Sequence, residues 1–148
     1  MISVVAALTA LITENSDIDT LVTDNTVSPP LVRVYGYPPG LPSEAIKDGQ
    51  ALPTVMIHTI RCESDVDVPR DRYRIRIRTH GPTEKDSREL MRGIHNKVFY
   101  PPPYAFPVCN KVIDDRWFLF SIRAVGDGPV TDIDNDTQLP VTISSYDL

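Results

Sequence analysis

The chain has 148 residues, 41% of them hydrophobic, with 15 Lys and Arg against 20 Asp and Glu for a formal net charge of -5. That length and apolar content suit one domain with a single core of ordinary size, and no segment approaches the ~20 consecutive apolar residues of a membrane-spanning helix. The charge is uneven: residues 1–113 hold 13 cations and 13 acids, whereas residues 114–148 hold Arg116 and Arg123 against seven acids, so a free polyanion is a poor partner for the molecule as a whole.

The opening MISVVAALTALI carries no basic flank, since the first cation is Arg33, and reads as a packed helix rather than a secretory signal. Val4, Val5, Leu8, Leu11 and Ile12 recur at helical spacing over roughly residues 2–14. Ser16, Asp17 and Asp19 suit the cap of a short second helical turn reaching Val22. After Pro29 and Pro30, LVRVYGY (31–37) is a strand of β-branched and aromatic residues. Residues 38–53, PPGLPSEAIKDGQALP, form a long proline-punctuated loop. TVMIHTIRC from Thr54 is then a strand, apolar on both sides and expected inside a sheet.

An acidic turn, ESDVDVP, leads into RDRYRIRIRT. Here Tyr73, Ile75 and Ile77 alternate with Arg72, Arg74, Arg76 and Arg78, and a strand turns that period of two into one apolar and one cationic face. Gly81 and Pro82 end the strand. Leu90, Met91, Ile94 and Val98 then repeat at helical spacing, with Glu84 and Arg88, and Lys85 and Glu89, as i,i+4 pairs on the wet side. YPPPYAFP from Tyr100 reads as a stiff extended arm with exposed aromatics. DRWFLFSIRAV from Asp115 is a strand with Phe118, Phe120, Ile122 and Ala124 on one face. GDGP is read as a turn, TDIDNDTQ as an acidic loop, and LPVTISSY from Leu139 as a last strand. The order α, β, β, β, α, β, β predicts an α+β fold, a mostly antiparallel β-sheet with two main helices packed on one face.

Chemical motifs are weak. GPTEKDS after the arginine strand has the layout of a phosphate-binding loop, but Glu84 stands where the second glycine is needed to let backbone N–H groups wrap phosphate. Asp132, Asp134 and Asp136 match the first three ligands of a calcium loop, yet Thr137 and Ile143 occupy the required glycine and glutamate positions, which excludes an EF-hand and favours a solvated acidic turn over a weaker calcium site. His58, His80 and His95 have no GxSxG or HExxH context and read as structural, so neither catalytic residues nor a cofactor or metal are expected. Cys62 and Cys109 lack CxxC spacing and read as reduced thiols of a cytoplasmic protein. Eleven of the 15 cations are arginine, the residue whose rigid fork pairs with carboxylates at subunit contacts. Ion pairing within or between subunits therefore explains the arginine face better than nucleic acid, because Tyr73 points away and leaves that face without stacking partners.

The parts YRIRIRTHG leading into PTEKDSRELMRGIHNKVF, and the closing WFLFSIRAVGDGPVTDIDNDTQLPVTISSYDL, together with an N-terminal helix and a loop-separated strand pair, resemble the tail terminator, or tail completion, proteins of long-tailed bacteriophages. The likeness spans nearly the whole chain as patterns of residue type and order. It implies a small α+β structural subunit of the virion, at the tail–neck junction and assembled in the host cytoplasm, with no enzymatic step and no cofactor. The implied partners are its own copies in a homo-hexameric ring, the tail tube protein, and a head-completion or stopper protein of the neck, with genomic DNA passing through the channel without specific binding. A head-completion or stopper role is the alternative within this class, and a nucleic-acid-binding module using the arginine strand the alternative outside it. In this frame Arg72, Arg74, Arg76, Arg78, Asp132, Asp134 and Asp136 are expected at subunit interfaces. Tyr37, Leu41, Tyr100, Tyr104 and Phe106 are expected to dock on tube or neck.

Overall fold

The computed structural model describes residues 4–36, 41–64, 66–67, 70–134 and 137–148, the side chain of Asp127 excepted. Tyr37 and Asp136 lie outside the described residues. The helices are α1 (Val4–Thr13), α2 (Ser16–Val22) and α3 (Glu84–Gly93). Five strands make the main sheet: β3 (Val34–Gly36), β6 (Thr54–Ser64), β7 (Asp71–His80), β10 (Arg123–Ile133) and β11 (Pro140–Asp147), in the order β10-β11-β7-β6-β3. Among the described residues only the β3–β6 pair is parallel. Three small hairpins complete the fold: β1 (Thr23–Asp24) with β2 (Leu31–Val32), β4 (Ile46–Lys47) with β5 (Gln50–Ala51), and β8 (Cys109–Ile113) with β9 (Trp117–Ser121). The α+β class and the mostly antiparallel sheet are as the residue pattern predicts.

The core sits between the helices and one face of the sheet. Ile75 and Ile77 of β7 meet Ile57 of β6 and Tyr146 of β11 on that face, and Leu8, Leu11, Ile12, Leu90, Met91 and Ile94 come down on them from the helices. Each such side chain contributes about 1.5–3 kcal/mol when fully buried. Tyr146 is fully buried, edge-on to Phe99 at 4.8 Å between ring centroids, and its hydroxyl is hydrogen-bonded to His95 Nδ1 at 2.9 Å. The helix read through Phe99 is present in two parts: α3 continues without a break into a wider π-helical turn over Ile94–Phe99, which brings Ile94, Val98 and Phe99 onto the core.

Local chemistry sets the ends of elements. Asn15, not Ser16, caps α2, because its side-chain oxygen accepts from the N–H groups of Asp17 and Ile18. Thr83 Oγ1 accepts from the Asp86 N–H at the start of α3, and Glu84 and Asp86 place negative charge at that helix terminus, which is the reverse of an anion site. Gly81 is needed where β7 meets α3: a Cβ there would lie 2.7 Å from Asp86 Cβ and 3.0 Å from the Ser87 nitrogen.

Four expectations are corrected. The segment 38–53 is more than a loop from Leu41 onward, since Asp48 (φ 54°) and Gly49 (φ 75°) make the tight turn of the β4–β5 hairpin, a role suited to Asp-Gly. The arm after Tyr100 is not extended: the Ala105 N–H reaches back to the Pro101 carbonyl at 3.2 Å and closes a turn. The single strand from Asp115 is two strands parted at Ile122, with β9 paired to β8 and β10 paired to β11. GDGP does not reverse the chain; it forms an irregular bulge between Val125 and Val130 inside β10, and the reversal comes after Ile133. Tyr146→Phe should cost about 1 kcal/mol by stranding His95 Nδ1, and Tyr146→Ala about 3–5 kcal/mol through the cavity it leaves. Urea unfolding followed by circular dichroism measures both.

Candidate functional site

The cationic face of β7 is the sheet face opposite the helices, and register decides what its arginines meet. Arg74 stands between Asp147 of β11 and Arg61 of β6, and Arg72 stands opposite Glu63. Two like charges side by side would repel. Asp147 resolves this by accepting a bidentate pair from Arg74, at 2.7 Å from Nε and 2.9 Å from the second guanidinium nitrogen, while Arg61 pairs with Glu63. The result is a row Glu63, Arg61, Arg74, Asp147 running across three strands. Its first consequence is chemical: the Arg74 hydrogen bonds hold the Asp147 carboxyl below the ordinary carboxylate value. The pair is half-exposed, so water screens it strongly.

Farther along the same face, Arg76 lies opposite His58 and Ser145, and Arg78 opposite Met56 and Ile143. His80 is buried, and desolvation lowers its pKa. Asp132 shares this face, aligned with Val141 and through it with His80. Asp134 is placed differently: its backbone closes the β10–β11 loop, donating to the Leu139 carbonyl at 2.8 Å and accepting from the Gln138 N–H at 2.7 Å. The structure thus brings Arg74 to a carboxylate of its own chain. It sets Asp132 on the sheet face that carries the arginines, near the opposite end.

The docking residues separate into two groups. Tyr104 and Phe106 are 76% and 72% exposed, and their rings stack at 6.2 Å on the turn after Pro101. Tyr100 is instead half-buried, stacked on His95 at 4.5 Å, and its hydroxyl accepts from the Ala124 N–H at 2.8 Å. Leu41 is half-buried.

A surface the residue pattern did not single out lies on the β8–β9 hairpin. Leu119 and Ile113 face the core, and Lys111 binds Glu14 of the first helical segment at 2.8 Å. Phe118 and Phe120 therefore point outward with Val112, each about half-exposed, in an edge-to-face pair at 4.9 Å. This reverses the expectation that Phe118 and Phe120 share a face with buried Ile122. The run WFLFS is apolar on both faces, so its periodicity holds no signal for which side is inward. Beside the hairpin a groove of about 960 Å³ opens between α1, the start of β7 and β9. Arg70 lies 5.8 Å from the Phe120 ring centroid and Arg116 5.8 Å from that of Trp117, both within cation–π range. Tyr73, on the groove wall, has its hydroxyl pushed up to about 12, first by desolvation and then by neighbouring Cys62 and Asp71.

Among the described residues no group of three or more His, Cys, Asp or Glu could hold a metal ion. No described helix is long and apolar enough to cross a membrane. Cys62 and Cys109 are free and exposed. No family model, curated protein or solved structure matches the chain.

The Arg74–Asp147 pair has a definite pH signature. Asp147 has a depressed folded pKa, so its contribution is present above the ordinary carboxylate range and is lost as pH falls through the lowered folded value. Asp147→Asn should lower stability at pH 7 and narrow the gap to wild type in acid. Arg74→Asp should destabilise by facing Asp147, and adding Asp147→Arg should recover most of that loss. Chemical denaturation at several pH values measures these changes.

Proposed function

We propose that this chain is a structural virion subunit that forms a hexameric ring on the end of a phage tail tube, stops further tube growth and joins the tail to the neck. The observation that carries the reading is the arrangement of surfaces on one small domain. A cationic sheet face lies opposite the helices, and exposed aromatics stand at two separate places, the 101–106 turn and the β8–β9 hairpin. A subunit that contacts ring neighbours, tube and neck at once needs several such surfaces and no chemistry. The histidines fit this role, since His95 is used in packing on Tyr100 and Tyr146 and His80 is buried. A head-completion or stopper subunit of the same neck would use the same kinds of surface.

A second reading, a single-strand nucleic-acid binder, is favoured by one feature, the Arg70 guanidinium over Phe120 beside a second exposed aromatic. Charge weighs against it, because the chain is net acidic.

Electron microscopy of particles made without the protein tests the terminator role. Tails of uncontrolled length that fail to join heads are expected, and resupplying the protein corrects both defects. Tails of normal length already joined to heads would exclude the role. Tyr104→Ala with Phe106→Ala should weaken attachment in the same assay while leaving thermal unfolding unchanged, because both rings are exposed and their stacking is confined to the turn.

A further inference from the structure

We infer that the groove between α1 and the β8–β9 hairpin is the seat for the acidic end of β10 from a second copy of this chain, making a head-to-tail joint. The groove floor is apolar, with Leu8, Trp117, Phe118 and Phe120 among its lining. Its rim is cationic: Arg70, Arg72, Arg116 and Arg123 outnumber Asp71 and Asp147. Arg123 is exposed and has no ion pair among the described residues, and Arg116 meets the Asp114 carboxylate only at a loose 3.7 Å. An occupant that fits must bring apolar side chains beside carboxylates.

The chain carries such a segment at its other end. Val130 and Asp132 lie near the far end of β10 on the same face of the strand, and Val130 is 63% exposed. Asp132 is exposed, and among the described residues its carboxylate accepts from the adjacent Ile133 N–H alone. Arg123 is paired with Asp147 in the ladder and Ile133 with Pro140, so groove rim and acidic tip sit at opposite ends of one antiparallel pair. At about 3.3 Å per residue they are roughly 30 Å apart, too far to meet within one copy. Two unlike, complementary surfaces at opposite ends of a subunit make a heterologous joint, which either closes into a ring or propagates.

The edge of β10 itself is a poor contact, because the bulge over 126–129 and Pro129 interrupt its free hydrogen-bonding groups. Side chains seated in the groove avoid that obstacle. Val130 and Asp132 share one face of the strand, so Val130 covers the aromatic floor while Asp132 meets Arg116 and Arg123. The joint deepens the ring reading by naming its contact and rests on that reading only for the number of copies that close.

Analytical ultracentrifugation of the purified full chain tests the joint without tails. Wild type should gain mass with concentration. Arg116→Glu with Arg123→Glu breaks the groove, and Val130→Ser with Asp132→Arg breaks the tip; each double variant alone should associate at least about tenfold more weakly. An equimolar mixture of the two retains one intact groove and one intact tip, so it should form dimers and nothing larger. Near-UV circular dichroism of Trp117 verifies folding of each variant. Wild type that stays a single copy at every concentration, double variants that associate like wild type, or a mixture that forms no dimer would each overturn the joint. So would wild type that binds a labelled oligothymidylate, loses it with the groove variant and never self-associates. Failure of the tail-length test with restored dimers in the mixture would instead retain the joint and remove the terminator role.

Discussion

The period-two alternation of β7 is the constraint on which the rest of the molecule depends. Both edges of this strand are hydrogen-bonded, to β6 and to β11, so its side chains are committed to two opposite faces. A slip of one residue would carry Ile75 and Ile77 to the solvent side and drive four arginines into the core. Because the register is fixed, Asp147 arrives beside Arg74 and Glu63 opposite Arg72, and four closely spaced cations become tolerable in an acidic chain.

From that strand outward, different forces hold the layers. The helical side is held by apolar burial, and Tyr146 ties β11 to the helix end through His95. The opposite edge is tied by a buried charge. Arg33 is only 7% exposed, yet its guanidinium donates to the Leu21 carbonyl at 2.8 Å and to the Pro53 carbonyl at 2.9 Å. Its backbone takes part too, donating to Val22 and accepting from Val55. One residue thereby links α2, the β1–β2 hairpin and the start of β6. Hydrogen bonds to two carbonyls offset part of the several kcal/mol that burying a guanidinium costs.

The exposed surfaces follow from the same layering. The helices cover one side of the sheet, so the arginine row faces out on the other. Among the described residues the β8–β9 ribbon pairs with itself alone and lies along α1, so one of its faces is inward and the other leaves Phe118, Phe120 and Val112 about half-exposed. Aromatics on that outer face, cations at the groove and acids at the far end of β10 give the subunit two chemically unlike ends. Such polarity is what a head-to-tail assembly requires.

The sequence by itself determined the local order: the amphipathic first helix, the arginine strand with its two faces, the helix from Glu84 and the final strand, each written in the spacing of neighbours. Asp48-Gly49 was an equally local hairpin signal within a segment read as a loop. Tertiary structure decided what neighbours along the chain do not encode. Whether Trp117 and Leu119 or Phe118 and Phe120 turn inward depends on α1 lying beside the ribbon, since both alternations are apolar. Whether GDGP reverses the chain or bulges depends on β11 being present to pair with both Val125 and Val130. The partner of Arg74 lies 73 residues away in sequence. Arg33 looks like any strand cation until the fold wraps it in carbonyls, because burial and register come from contacts between distant segments.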